Sequence, residues 1–314
     1  MKMIAALKPV ALIGLLALSN PAGGFAQNLI KMQNAGCTDG LAALANLVQV
    51  KINPATTPRN MVGKCDAQSV TIRSERAKVT IEIDRLKWNR DGLGPLADGK
   101  LPDQLKLELH GVQVTSAPER EPAWAYLASE GTAGRKFDAK LAFAFAPETG
   151  TLEITSASLD FHNSNIVKLT AQLRGISATQ PKNPELAALT MIVDDLMFTI
   201  HSGKGQKNPA LALATKILQG KIPEGDFGGF KAKATAYIAK ELATVLNAES
   251  VTALKKMVSD LPQPKGGMLL HLDAAGGFSA LRLGLLAKGN DPAQALEGVS
   301  VEIGYGNNLF DNVN

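Results

Sequence analysis

The sequence predicts an α+β fold in which a long, twisted antiparallel sheet is covered by amphipathic helices. Apolar and polar residues alternate with a period of two in several stretches between residues 68 and 201, a pattern typical of half-buried strands. Helical spacing of apolar residues dominates positions 208–261. Because roughly six or seven strands of about ten residues would expose a large apolar face, we expect the helices to cover it.

The first 26 residues have the three parts of a secretion signal. Lys2 and Lys8 supply positive charge, and an unbroken apolar run from Val10 to Leu18 follows. This run would form a helix of about 14 Å, which is too short for the roughly 30 Å hydrocarbon core of a bilayer. Gly24 and Ala26 are small residues at the −3 and −1 positions of a cleavage site. We therefore expect cleavage between Ala26 and Gln27 and export to a bacterial periplasm.

The alternatives to cleavage at Ala26 are an uncleaved anchor, a buried helix and lipidation at Cys37. Ala35, Gly36 and Cys37 resemble the end of a lipobox, but the apolar run ends far upstream. After cleavage, no later segment is apolar enough to predict a membrane span. Cys37 and Cys65 form an even pair, which predicts a disulfide in an oxidising compartment. Two independent buried thiols are the other interpretation.

The elements are predicted in this order. A first helix covers residues 38–50. Strands follow near 68–84 and 105–114, with a short helix at 121–129 and three long strands near 136–146, 151–161 and 166–178. After a strand at 190–201, the expected elements are helices at 209–219, 230–246 and 251–261 and a strand at 268–274. A helix is expected at 279–287, where residues 281–283 could instead form a strand, and a last strand follows at 299–305. The glycine pairs at 228–229 and 276–277 are expected to be linkers before helices.

This order suggests three regions: the signal at 1–26, a first helix with a strand-rich region at 27–205, and a helix-rich region with C-terminal strands at 206–314. We expect the last two regions to pack on the same sheet, as one domain or two. The chain has 33 basic and 29 acidic residues without a basic block, so nucleic acid is not an expected partner.

Two strand segments share a pattern that resembles a known protein class. Residues 105–114 and 169–178 align leucines, one glycine and an apolar residue, either as strands of similar role or as a true repeat. Together with the segment Val193 to Phe198, they resemble AsmA-type envelope proteins of Gram-negative bacteria. That resemblance implies a sheet that handles lipids, although the helical block at 208–261 departs from it.

The sequence contains no catalytic, metal or cofactor motif. His110, His162, His201 and His271 are too widely separated for a short metal-binding motif. Asp160 and His162 would share a strand face if that strand extends to His162, so a hydrolase that uses this pair is one hypothesis. The other interpretation of this pair is a polar outer face.

The sequence therefore predicts a non-enzymatic exported protein that binds an apolar ligand or supports envelope lipid handling. Any gap between sheet and helices would form an apolar groove. The candidate lining residues are Leu105, Leu107, Leu109, Met197 and Met257. A scaffold protein that binds an envelope protein through loops or an edge strand is the alternative.

Overall fold

A computed structural model describes most of the chain after residue 35. The described residues are 36–47, 50–54, 58–61, 63–132, 135–178, 190–203, 209–219, 226–279, 281–282, 291–306 and 309. The predicted signal and its cleavage site, Ala26 and Gln27, lie outside them.

Eleven strands of the described chain belong to an antiparallel sheet with the order β1-β3-β4-β5-β6-β7-β8-β9-β10-β11, and β2 pairs with β3. Their bounds are β1 Lys51–Pro54, β2 Arg59–Met61, β3 Lys64–Ser74, β4 Val79–Asn89, β5 Gln104–Ser116, β6 Phe137–Ala146, β7 Thr151–Asp160, β8 Ile166–Arg174, β9 Ile192–His201, β10 Gly267–Ser279 and β11 Ser300–Gly306. Except for β2, sequence neighbours therefore lie side by side, as consecutive strands of a sheet commonly do.

The structure gives the bounds of six α-helices in the described residues. They are α1 Cys37–Leu47, α2 Pro122–Thr132, α3 Pro209–Gln219, α4 Phe227–Lys240, α5 Ala248–Asp260 and α6 Pro292–Ala295. Short 3₁₀ helices cover Arg90–Gly92, Gly94–Asp98 and Leu242–Thr244.

The predicted α+β class, with one sheet covered by helices, is wrong because the antiparallel sheet dominates the structure. Helices do pack with the sheet, but α4 packs on α5 and buries only Ile238. The sequence pattern also underestimates the length of β10. Gly276 and Gly277 lie inside β10, which continues to Ser279 where a linker and a helix were predicted. Pairing with β9 is interrupted after Asp273 by a bulge that contains both glycines and resumes at Phe278, so the strand continues beyond them.

The chain forms two compact units, and the N-terminal unit comprises the described residues within Val10–Ala157 and Arg174–Met191. Its fully buried side chains come mainly from the central strands and the segment after β4: Trp88, Ile83, Leu86, Leu93, Val70 and Val114. Helix α2 packs on β5 and buries Ala123 and Leu127. Burial of these large apolar groups is the main favourable term for folding this unit.

The C-terminal unit comprises the described residues within Ser158–Leu173 and Ile192–Asn314. Its core joins strands to helices, because Leu211 of α3 and Ala253 of α5 cluster with the strand residues Val167, Ile200 and Tyr305. The helical block predicted at 208–261 therefore does contribute to a core within this unit.

Helix α5 also protects the edge strand β11. The backbone N–H of Ile303 donates to Ser250 Oγ at 2.8 Å, and Ser250 is buried. Tyr305 lies between two segments, since its hydroxyl accepts from the Lys265 N–H at 2.8 Å and donates to Asp260 Oδ2 at 2.9 Å. Burial is the main cause that raises the pKa of Tyr305, which keeps this hydroxyl protonated.

Candidate functional site

The strand register of the N-terminal unit places large apolar side chains side by side. Leu107 of β5 lies opposite Trp88 of β4 and Leu141 of β6. The next pair along the same face joins Leu105 to Phe143. Because register partners share a face of the sheet, these residues form one continuous apolar surface.

Part of this surface remains accessible. Trp88 and Leu105 are buried, whereas four neighbouring side chains on β5 and β6 are only half-buried, and we call them the apolar strip: Leu107, Leu109, Leu141 and Phe143. The intervening residues Lys106 and Lys140 are exposed, and they lie on the opposite face because side chains alternate along a strand. The polar residues thus occupy one face and leave the apolar strip without charged neighbours on its own strands.

A bulge marks one end of the apolar strip. Gly111 has φ +64°, and the pairing of β5 with β6 shifts by one residue between Leu109 and Val112. Val112 pairs with Phe137, two residues from the partner of Leu109, so it stays on the same face. Val112 is buried, so the accessible part of the apolar surface ends at the bulge.

A polar cluster on the neighbouring strands holds the bulge in place. Asp138 accepts from the Gly111 N–H at 2.9 Å through Oδ1, and its Oδ2 lies 3.3 Å from His110 Nδ1. Lys136 Nζ lies 2.7 Å from Oδ1 and 2.8 Å from Oδ2 of Asp84. His110 Nε2 lies 3.5 Å from Glu108 Oε2 and has no hydrogen bond to any described residue, but it is buried. A substrate could not reach that nitrogen, and Nδ1 faces Asp138, which fixes the orientation of the ring beside the bulge.

The predicted disulfide between Cys37 and Cys65 is confirmed, with Cα atoms 5.5 Å apart. It joins α1 to β3, where Cys65 lies directly opposite Trp88. The bond occupies the thiol that lipidation of Cys37 would require. A buried disulfide indicates folding in an oxidising compartment, and it anchors α1 beside the centre of the N-terminal unit.

The five predicted groove residues do not all belong to one unit. Leu105, Leu107 and Leu109 belong to the apolar surface of the N-terminal unit, whereas Met197 and Met257 belong to the C-terminal unit. Met257 packs against the core cluster there, and Met197 is 41% exposed opposite His271. Sequence alternation identified the leucines, but it could not identify Leu141 and Phe143 as their partners because that requires the register.

The Asp160 and His162 pair lies at the end of β7 and in the turn that follows. β7 ends at Asp160, whose Oδ1 accepts from the His162 backbone N–H at 2.7 Å and lies 4.0 Å from the ring nitrogen Nδ1. The carboxylate therefore stabilises a turn in which His162 has φ +64°. Both side chains are largely exposed, and the strand-face arrangement that motivated the hydrolase hypothesis does not form.

A different histidine makes the shorter contact with a carboxylate. His271 Nε2 lies 2.9 Å from Asp195 Oδ2, and its Nδ1 lies 3.8 Å from Glu302 Oε2. The hydrogen bond to Asp195 is the main cause that raises the pKa of His271. No short-range sequence signal marks this group, because its members come from three strands.

A partly buried ion pair lies on β3 and β4. Arg85 donates two hydrogen bonds to Asp66, from Nε to Oδ1 and from Nη2 to Oδ2, each at 2.8 Å. This bidentate contact lowers the pKa of Asp66 despite the opposing effect of burial. Asp66 is buried, so the pair satisfies a carboxylate that would otherwise be unpaired inside the unit.

The described residues contain no group of three or more acidic, histidine or cysteine side chains that could hold a metal ion. Among the same residues, no helix is long and apolar enough to span a membrane. Compared with models of known protein families and with curated proteins, the chain shows no significant match.

Proposed function

We propose that this is an exported, non-enzymatic protein that binds an apolar ligand, such as a lipid acyl chain, along the apolar strip. The observation that supports it is the set of four half-buried large apolar side chains at adjacent register positions. The disulfide, the signal-like N-terminus and the resemblance to AsmA-type envelope proteins are consistent with a role in periplasmic lipid handling.

The dimensions of the strip favour a linear ligand. The strip extends over about 14 Å of strand, from Phe143, which lies opposite the buried Leu105, to Leu109, and β6 lies about 5 Å from β5. Each methylene group that a ligand buries contributes about 0.8 kcal/mol before the entropy of association is subtracted. A chain of about eight methylene groups along the strip would therefore gain roughly 6 kcal/mol before that subtraction.

Binding of a fluorescent long-chain fatty acid tests the proposal. Replacing Leu141→Gln removes apolar surface from the strip, and Lys140→Gln introduces the same side chain at the adjacent position on the opposite face. We expect the first variant to raise the dissociation constant severalfold, up to about tenfold, since a ligand can cover only the part of Leu141 that is still exposed, which contributes at most about 1.4 kcal/mol. The second should change it less than twofold.

If the wild-type protein binds no fatty acid, or if both variants weaken binding to the same degree, the strip is not the binding surface. Circular dichroism of both variants provides the control for folding.

The scaffold alternative has less support from the edge strand. Strand addition needs unpaired backbone groups, and the Ile303 N–H of β11 is already bonded to Ser250. We therefore place the apolar ligand first among the candidate functions.

A further inference from the structure

His271 lies on β10 between two strands and faces a carboxylate on each. Asp195 of β9 lies 2.9 Å from Nε2, and Glu302 of β11 lies 3.8 Å from Nδ1. Glu302 is also its direct register partner across the β10–β11 ladder. The two ring nitrogens are thus directed to different neighbouring strands.

The chemistry of imidazole makes this arrangement sensitive to protonation. A neutral ring carries one N–H, so it can donate to only one of the two carboxylates. The imidazolium ion carries two N–H groups and can donate to both. Because Asp195 is the closer partner, the contact with Glu302 is the one that the neutral ring should lose.

The charged groups around His271 all favour the protonated form. They are Asp195 from β9, Glu302 from β11 and Asp273 from β10 itself, and all three act to raise its pKa. The side chain of His271 is 27% exposed, so protons can reach it from solvent. No basic residue is among the described groups that shift this pKa.

We propose that the His271–Glu302 contact, which we call the tie, depends on protonation. It stabilises edge strand β11 on the sheet when the ring is charged, and it is lost when the ring is neutral. The site is independent of the apolar strip, which belongs to the other unit. On its other side β11 is held by Ser250 and by the Tyr305–Asp260 contact, so release loosens the strand without detaching it.

The direction of the pH dependence follows from the raised pKa. The stabilising contribution is fully present below about pH 6.5, the value for an unperturbed histidine, and is lost as the pH rises through the higher folded-state value. The tie is therefore strongest at mildly acidic pH and weakens as the pH rises.

Hydrogen exchange followed by mass spectrometry tests the tie in the whole protein. We expect the protection of the 300–306 segment, corrected for intrinsic exchange rates, to fall about two- to fivefold between pH 6 and 8.5, the range for a partly exposed ion pair. Protection of β5 amides serves as the internal control. In His271→Gln, protection of the 300–306 segment should not depend on pH over this interval.

A second variant distinguishes the loss of the Glu302 contact from the titration of His271 itself. Glu302→Gln retains Asp195, so proton NMR should still show His271 titrating with a raised pKa while the pH dependence in β11 disappears. Unchanged wild-type protection of β11 across this interval, while His271 titrates, would overturn the proposal. Retention of the wild-type pH dependence in Glu302→Gln would overturn it as well.

Discussion

Substituting Gly111→Ala at the β5 bulge should destabilise the protein through two separable effects. The backbone has φ +64°, a conformation that costs a residue with a Cβ atom about 1–2 kcal/mol. In addition, a Cβ at this position would lie 2.1 Å from Asp84 Oδ2 and 3.0 Å from Asp84 Cβ. The Asp84 side chain must then shift, which disturbs its contact with Lys136.

Gly99 provides the matched control for this substitution. Its φ is +66°, but a Cβ there would meet no atom within 4 Å. Gly99→Ala should therefore lose only the conformational part, about 1–2 kcal/mol. The exposed Asp84–Lys136 pair adds up to about 1 kcal/mol, and overpacking adds about 1–3 kcal/mol at Gly111. We expect a total of about 2–4 kcal/mol for Gly111→Ala, since larger losses are exceptional.

Urea unfolding followed by tryptophan fluorescence measures both free energies of unfolding. In an Asp84→Ala background, the loss caused by Gly111→Ala should decrease towards that of Gly99→Ala, because the carboxylate is gone and only the Cβ contact at 3.0 Å remains. Equal losses for Gly111→Ala and Gly99→Ala in the wild-type background would refute the reasoning, since Asp84 would then not constrain the bulge.

Two further predictions concern buried polar groups. Asp66 has a lowered pKa through Arg85, so it stabilises the folded protein above about pH 4 and loses this contribution as the pH falls through its folded-state value. Acid unfolding should thus depend less steeply on pH in Asp66→Asn, and an unchanged slope would contradict the assignment. Ser250→Ala removes a buried hydroxyl and leaves the Ile303 N–H unpaired, so it should lower the free energy of unfolding by about 1–3 kcal/mol. The exposed Ser259→Ala, whose hydroxyl bonds within its own helix, should change it by less than about 0.5 kcal/mol, and equal effects would argue against this role for Ser250.

Local patterns predicted the features that depend on nearby residues. Alternation identified the leucines of β5, and the aligned glycines of the two similar segments share a conformation, with φ +64° at Gly111 and +77° at Gly175. At Gly111 the glycine permits a bulge, and at Gly175 it follows the last residue of β8. This shared backbone requirement is a physical reason why both segments retain glycine, whether or not they are repeats.

Other features depend on groups far apart in the chain. The contact of Asp195 with His271 joins residues 76 positions apart, and no local periodicity encodes it. Gly228 and Gly229 were predicted as a linker, but they lie in the first turn of α4 because Asp226 accepts from the Gly229 N–H at 3.1 Å and caps the helix. An aspartate in this position favours a helix start, whereas a pair of glycines has low helix propensity, so local sequence supports both structures there.

Native mass spectrometry of the protein purified from the cells that make it tests apolar ligand binding most directly. We predict a bound species with the mass of a lipid or fatty acid, which is lost on denaturation, and a chain mass 2 Da below that of the reduced form because of the Cys37–Cys65 bond. Such a species should be depleted in the Leu141→Gln variant and retained in Lys140→Gln. A ligand-free wild-type protein that also acquires no mass when incubated with fatty acid would contradict the proposed function.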